Sequence, residues 1–118
     1  MKKRVIDILL WLSAIFLVYV FVRQGFAKFD AQSGWARAFA VWHYPAWFRV
    51  AVGAAEIAAA LLLLLRRTAF YGAALISAIM IGAMATHVYW HRPKAVTNEV
   101  LPLTLAVVVM IGRRPRAQ

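Results

Sequence analysis

Four side chains in this sequence carry groups that apolar surroundings do not tolerate alone: Arg23, Lys28, Glu56 and His87. Glu56 stands in the middle of residues 48–67, FRVAVGAAEIAAALLLLLRR. About 20 apolar residues suffice to cross a bilayer. A lone carboxylate at that depth costs ~2.5–3.5 kcal/mol on the insertion scale, so another part of the chain must compensate it. Arg23 and Lys28 close the preceding apolar run, and either side chain is long enough to serve. They lie five residues apart, ~140° around an ideal helix, and share a face only if the helix breaks at Gly25. His87 comes near the end of the following run. Helical spacing puts Arg49, Gly53, Glu56 and Ala60 on one face, and Ile76, Met80, Ala83 and His87 on a face of the next run.

If those faces meet, an acid and an imidazole line one cavity, with Arg23 in it, Lys28 near its mouth, and Tyr19 and Trp90 among its walls. Such a set supplies hydrogen-bond donors and a proton route at membrane depth. Three plainer readings stand beside it. A buried ion pair can fix helix register without chemistry. An interfacial histidine can be satisfied by a carbonyl. Arg23 and Lys28 can snorkel to headgroups. His87 and His91, four apart, offer a metal or haem edge, but no acidic or sulfur companion stands at matching spacing, so no metal is expected.

The elements that must position these groups follow from composition. The chain has 118 residues, of which 64% are hydrophobic, with a mean hydropathy of +0.72. A soluble domain carries ~45–50% apolar residues. The excess forms long runs, which predicts a single all-α domain over 1–118: an antiparallel four-helix transmembrane bundle with spans at about 5–27, 46–65, 69–90 and 98–112. The net charge of +10 does not point to nucleic acid, because the bases collect at the ends of the runs, as they do beside membranes. There is no cysteine, which excludes disulfides, thiolate metal sites and thiol relays within this chain.

The basic start MKKR and its apolar run read as a retained span, since GFAKFDAQ lacks a small-x-small cleavage site. Trp35, Phe39 and Trp42 recur at helical spacing and predict a short interfacial helix over about 33–42. Pro45 opens the second span. The Arg66–Arg67 turn makes spans two and three a hairpin. Gly72, Ala78, Gly82 and Thr86 supply small residues for close helix packing, and Ala78, Gly82 and Thr86 follow small-xxx-small spacing. Pro102 suits a first helical turn. Four spans put both termini and the Arg66–Arg67 turn on one side, with most of the bases, which the positive-inside rule makes cytoplasmic.

Three stretches resemble a family: VRQGFAKF, FAVWHYPAWFRVAVGAAEIAAALLLLL and GAALISAIMIGAMATHVYW. Their R-x-G-x-x-K, G-x-x-E and A-x-x-x-H patterns fall on Arg23, Gly25, Lys28, Gly53, Glu56, Ala83 and His87. They look like the DoxX-like family of small four-span bacterial membrane proteins, over nearly the whole chain after Phe16. The resemblance implies the fold and an inner-membrane location. Some members are membrane subunits of quinone-linked sulfur oxidation, and others are associated with oxidative-stress complexes. It therefore implies a redox accessory subunit that holds a quinone-like or other amphipathic ligand at Arg23, Lys28, Glu56 and His87. The implied partners are the bilayer and a redox protein or a second copy. A non-enzymatic protein that binds lipid or metabolite, transports it or assists assembly is the alternative. With no soluble domain or nucleotide motif, the chain has no means to complete a redox cycle alone.

Overall fold

The computed structural model describes residues 2–32, 34–90 and 97–114. They form five α-helices and, among the described residues, no strand: α1 (Lys2–Phe29), α2 (Gly34–Val41), α3 (Ala46–Leu63), α4 (Ala69–Tyr89) and α5 (Thr97–Gly112). α1, α3 and α4 are long and apolar enough to cross a membrane, and α5 is apolar but shorter. α1 runs unbroken through Gly25 for 28 residues, ~42 Å at 1.5 Å per residue. α2 begins at Gly34, and Ser33 lies outside the described residues.

The four larger helices close a ring: α1 packs on α3 and α5, and α4 packs on the same two. α2 lies against α1 and α3. Leu17, Phe21, Ala59, Leu63, Ile76 and Val109 are fully buried along the ring's axis. The opposite faces are apolar as well: Val5, Ile8, Leu9, Leu12 and Ile15 of α1 are all more than half exposed. A helix that is hydrophobic all round suits a lipid surrounding rather than water.

Two glycine contacts set how closely the helices approach. A Cβ on Gly25 would meet the Gly53 carbonyl oxygen at 2.8 Å, and a Cβ on Gly53 would meet that of Gly25 at 2.8 Å. α1 and α3 therefore touch backbone to backbone. At Gly72 a Cβ would come within 2.6 Å of the Ala59 carbonyl oxygen, which brings α4 against α3. The expectation of close packing holds at Gly72 and at the buried Thr86 but is corrected at the other two: Gly82 has nothing within 4 Å of its Cβ position, and Ala78 is exposed. These small residues hollow out one wall of a cavity instead. Pro102 also departs from expectation. α5 starts five residues earlier, so the proline sits inside the helix, where it lacks an N–H for the ladder.

The α2–α3 corner is built on a left-handed residue. His43 has φ 63°, its N–H donates to the Ala40 carbonyl at 3.1 Å, and the Tyr44 N–H reaches back to Phe39 at 2.9 Å. This pair of bonds is a Schellman ending, usually made with glycine. Pro45, extended at φ −70° and ψ 158°, then caps α3. The corner turns the chain sharply enough that Tyr44 faces α4, where its hydroxyl lies 2.8 Å from that of Thr86. Thr86 directs its own proton to the Gly82 carbonyl at 3.0 Å, so Tyr44 is the donor.

At the other end of the molecule Asp7 binds two arginines. Its Oδ1 accepts from Arg66 Nη2 at 2.7 Å and from Arg113 Nη1 at 2.8 Å. The Arg113 guanidinium also lies over the Trp11 ring, 5.3 Å from its centroid. One carboxylate thus ties the start of α1 to the α3–α4 turn and to the end of α5. Nearby, Leu10 occupies the space beside Gly112, where a Cβ would stand 2.6 Å from a Leu10 methyl.

Candidate functional site

The polar groups at the α2 end surround a cavity of about 860 Å³, within the ~300–1,000 Å³ of typical small-molecule sites. α1 contributes Lys28, α3 Glu56, α4 His87 and α5 Glu99. α2 and its corner close the cavity with Trp35, Phe39, Trp42 and Tyr44, and Phe48 adds a fifth ring from α3. The small side of α4, at Ala78, Gly82 and Ala83, leaves the space open.

Lys28 and Glu56 are joined directly: Lys28 Nζ donates to Glu56 Oε1 at 2.6 Å. Lys28 is 3% exposed and Glu56 is fully buried. The ammonium also lies 3.9 Å from the centroid of the Trp35 ring, a cation–π contact strengthened by desolvation. The Gly25–Gly53 contact makes this reach possible, because each glycine lies three residues before one member of the pair. Glu56 Oε2 is buried without a hydrogen-bond partner.

His87 approaches a second carboxylate. Its Nδ1 lies 3.3 Å from Glu99 Oε1, with the two side chains 11% and 9% exposed. The contact is within ion-pair range, while the other carboxyl oxygen, Glu99 Oε2, is buried without a bonded partner. Trp42 packs edge-on to the imidazole at 5.5 Å between ring centroids. The ring is held between Trp42 and Glu99.

Arg23 does not join this group. It is exposed, and its Nη1 donates to Tyr19 Oη at 3.0 Å. Because α1 does not break at Gly25, the five residues from Arg23 to Lys28 turn the arginine ~140° away. Tyr19 is nine residues from Lys28, on the opposite face, and 60% exposed. Trp90 packs on His43 at 5.4 Å rather than lining the cavity. The walls come from α2, whose aromatics the sequence pointed toward headgroups.

Glu99 and Asp7 are the two acids that spacing does not reveal. Glu99 is twelve residues beyond His87, across a loop, and meets it only through tertiary packing. Asp7 sits near the start of α1 and finds its partners 59 and 106 residues away. Among the described residues no cluster of three or more histidine and acidic side chains is placed to hold a metal ion. His91, the other half of the suggested histidine edge, lies outside the described residues.

Helices alone among the described residues, three of them of membrane length, with a buried lysine–glutamate pair beside an aromatic-lined cavity, define a small membrane-type helical protein. It belongs to the DoxX-like family, whose sequence profile matches residues 12–111, as the resemblance over the three quoted stretches implies. No curated protein and no solved structure matches the chain.

Proposed function

We propose that this chain is a small multi-pass protein of the bacterial inner membrane whose cavity holds an amphipathic molecule. In this reading α1, α3, α4 and the shorter α5 cross the bilayer as an antiparallel bundle with both termini in the cytoplasm. The cavity opens toward the outer leaflet, so a ligand slides in from the lipid with its tail among the α4 alanines. The observation that carries the reading is the cavity itself: polar groups from four helices line a space walled by five aromatic rings. Polar atoms at membrane depth must face protein or a water-filled cavity, never lipid tails.

Within that reading the chain serves a membrane redox system as an accessory subunit. A quinone-like head suits the redox role because His87 lines the cavity and an imidazole can donate to a carbonyl. The closed Lys28–Glu56 pair favours a second reading, a non-enzymatic holder of lipid or metabolite in which that pair is structural. Extraction of protein purified in mild detergent separates them: a redox-active extract with its absorbance supports the first, lipid alone the second. His87→Ala is expected to release most of the bound amphiphile while the unfolding midpoint changes little. The same occupant at the same stoichiometry in the variant would sink the shared-site reading.

Topology has its own test. A reporter fused after Gln118 is expected to score as cytoplasmic. Activity only on the outer side would remove the four-span arrangement, because three spans put the basic C-terminal segment outside.

A further inference from the structure

Two carboxyl groups, Glu56 and Glu99, line the cavity beside one ammonium, Lys28, and one imidazole, His87. Lys28 is committed to Glu56 Oε1 at 2.6 Å and to the face of Trp35. That leaves Glu56 Oε2 and Glu99 Oε2, both buried and both without a hydrogen-bond partner. The Glu56 side chain is fully buried and that of Glu99 is 9% exposed. Unpaired carboxylate oxygens in a desolvated site are costly, and what answers them is a group that donates hydrogen bonds and carries positive charge.

His87 is the internal candidate for that role. Its Nδ1 stands 3.3 Å from Glu99 Oε1, and it leaves Oε2 of both acids unanswered. The aromatic walls add a second, independent preference. Trp35, Phe39, Trp42, Tyr44 and Phe48 line the cavity, and the negative faces of such rings attract cations, most strongly when water is excluded. Lys28 on Trp35 already shows that use of the wall.

We infer that the cavity selects an amphipathic cation: a protonated amine on an apolar or aromatic body, its ammonium held by the Glu99 carboxylate and its body against the rings of α2. The inference rests on the proposal that the cavity holds an amphipathic molecule. It is independent of the redox role and disfavours a neutral carbonyl head.

The test uses the full chain in nanodiscs of phosphatidylcholine, with empty discs as the partition control. Three matched probes are compared by equilibrium dialysis: phenylbutylamine, phenylbutanol and phenylbutanoic acid. The amine is expected to bind at least about tenfold more tightly than the alcohol, and the acid most weakly. Glu99→Gln, nearly isosteric, is expected to bring the amine to within about threefold of the alcohol. Alcohol binding equal to amine binding in the unaltered protein overturns the inference while leaving an amphiphile site in place. That comparison needs no variant, so a failure of Glu99→Gln to fold does not blunt it. An amine preference that survives in a folded Glu99→Gln protein also overturns the inference. If none of the three probes exceeds the empty-disc control, the amphiphile-binding proposal falls with it.

Discussion

Glu56→Gln with Lys28 left in place is expected to cost ~3–5 kcal/mol of folding stability, the usual penalty for orphaning one member of a buried pair. Lys28 is too deep to be rehydrated, at 3% exposure, and its remaining contact with Trp35 offsets only part of the loss. The double change Glu56→Gln, Lys28→Met is expected to cost clearly less than the sum of its single changes. Glu56→Gln with Arg23→Gln is expected to be additive within ~0.5 kcal/mol, because Arg23 bonds to Tyr19 on another face. Unfolding in mixed micelles measures all of these. Strict additivity in the Lys28 double variant would show that the pair is not coupled.

The second large effect is expected at Gly53. A side chain there meets the Gly25 carbonyl oxygen at 2.8 Å and Lys28 Cβ at 3.0 Å. Backbone cannot yield as a side-chain tip can, so Gly53→Leu must push α1 off α3. Overpacking of this kind costs ~1–3 kcal/mol, and the separation also draws Lys28 away from Glu56, which adds to it. Gly82→Ala is the matched control, since its Cβ has open space. There the ordinary helix preference for alanine, up to ~1 kcal/mol, is expected to hold or raise stability. Equal tolerance of Gly53→Leu and Gly82→Ala in the same unfolding assay would rule out the backbone contact as the limit on α1–α3 approach.

Much of this architecture is legible in the chain because apolar length and charge placement act locally. Residues 46–63 and 69–89 form helices where uninterrupted apolar runs stand, and the lone acid Glu56 signals that a counterion exists. What spacing leaves open is which base supplies it. Arg23 and Lys28 have equal reach on paper, and the distinction depends on whether α1 stays straight at Gly25, which tertiary contact with Gly53 decides. The small-residue pattern misleads at Ala78 and Gly82 for a related reason: small side chains permit close packing but equally permit empty space, and only the neighbour determines which. The aromatic run of α2 is visible as a helix, but its role as a cover over the cavity depends on the His43 corner. Glu99 meets His87 only through the α4–α5 contact, which no periodicity encodes.

The Asp7 clasp bears on how the protein is made. α1 leaves the ribosome first and carries both Asp7 and Lys28. When α3 follows, Glu56 finds Lys28 already present, so the acid can be paired as soon as its helix packs on α1. Arg66 then takes one side of Asp7. Arg113 is synthesised only after α5, and with it the second bond to Asp7. Glu99 arrives on that same helix and brings the fourth wall of the cavity. A nascent chain halted before α5 therefore has its most expensive charge already matched, yet lacks the Glu99 side of the cavity. Completion of the cavity is thereby deferred to the last helix, and the arginine that arrives with α5 is also the one that latches the ring shut.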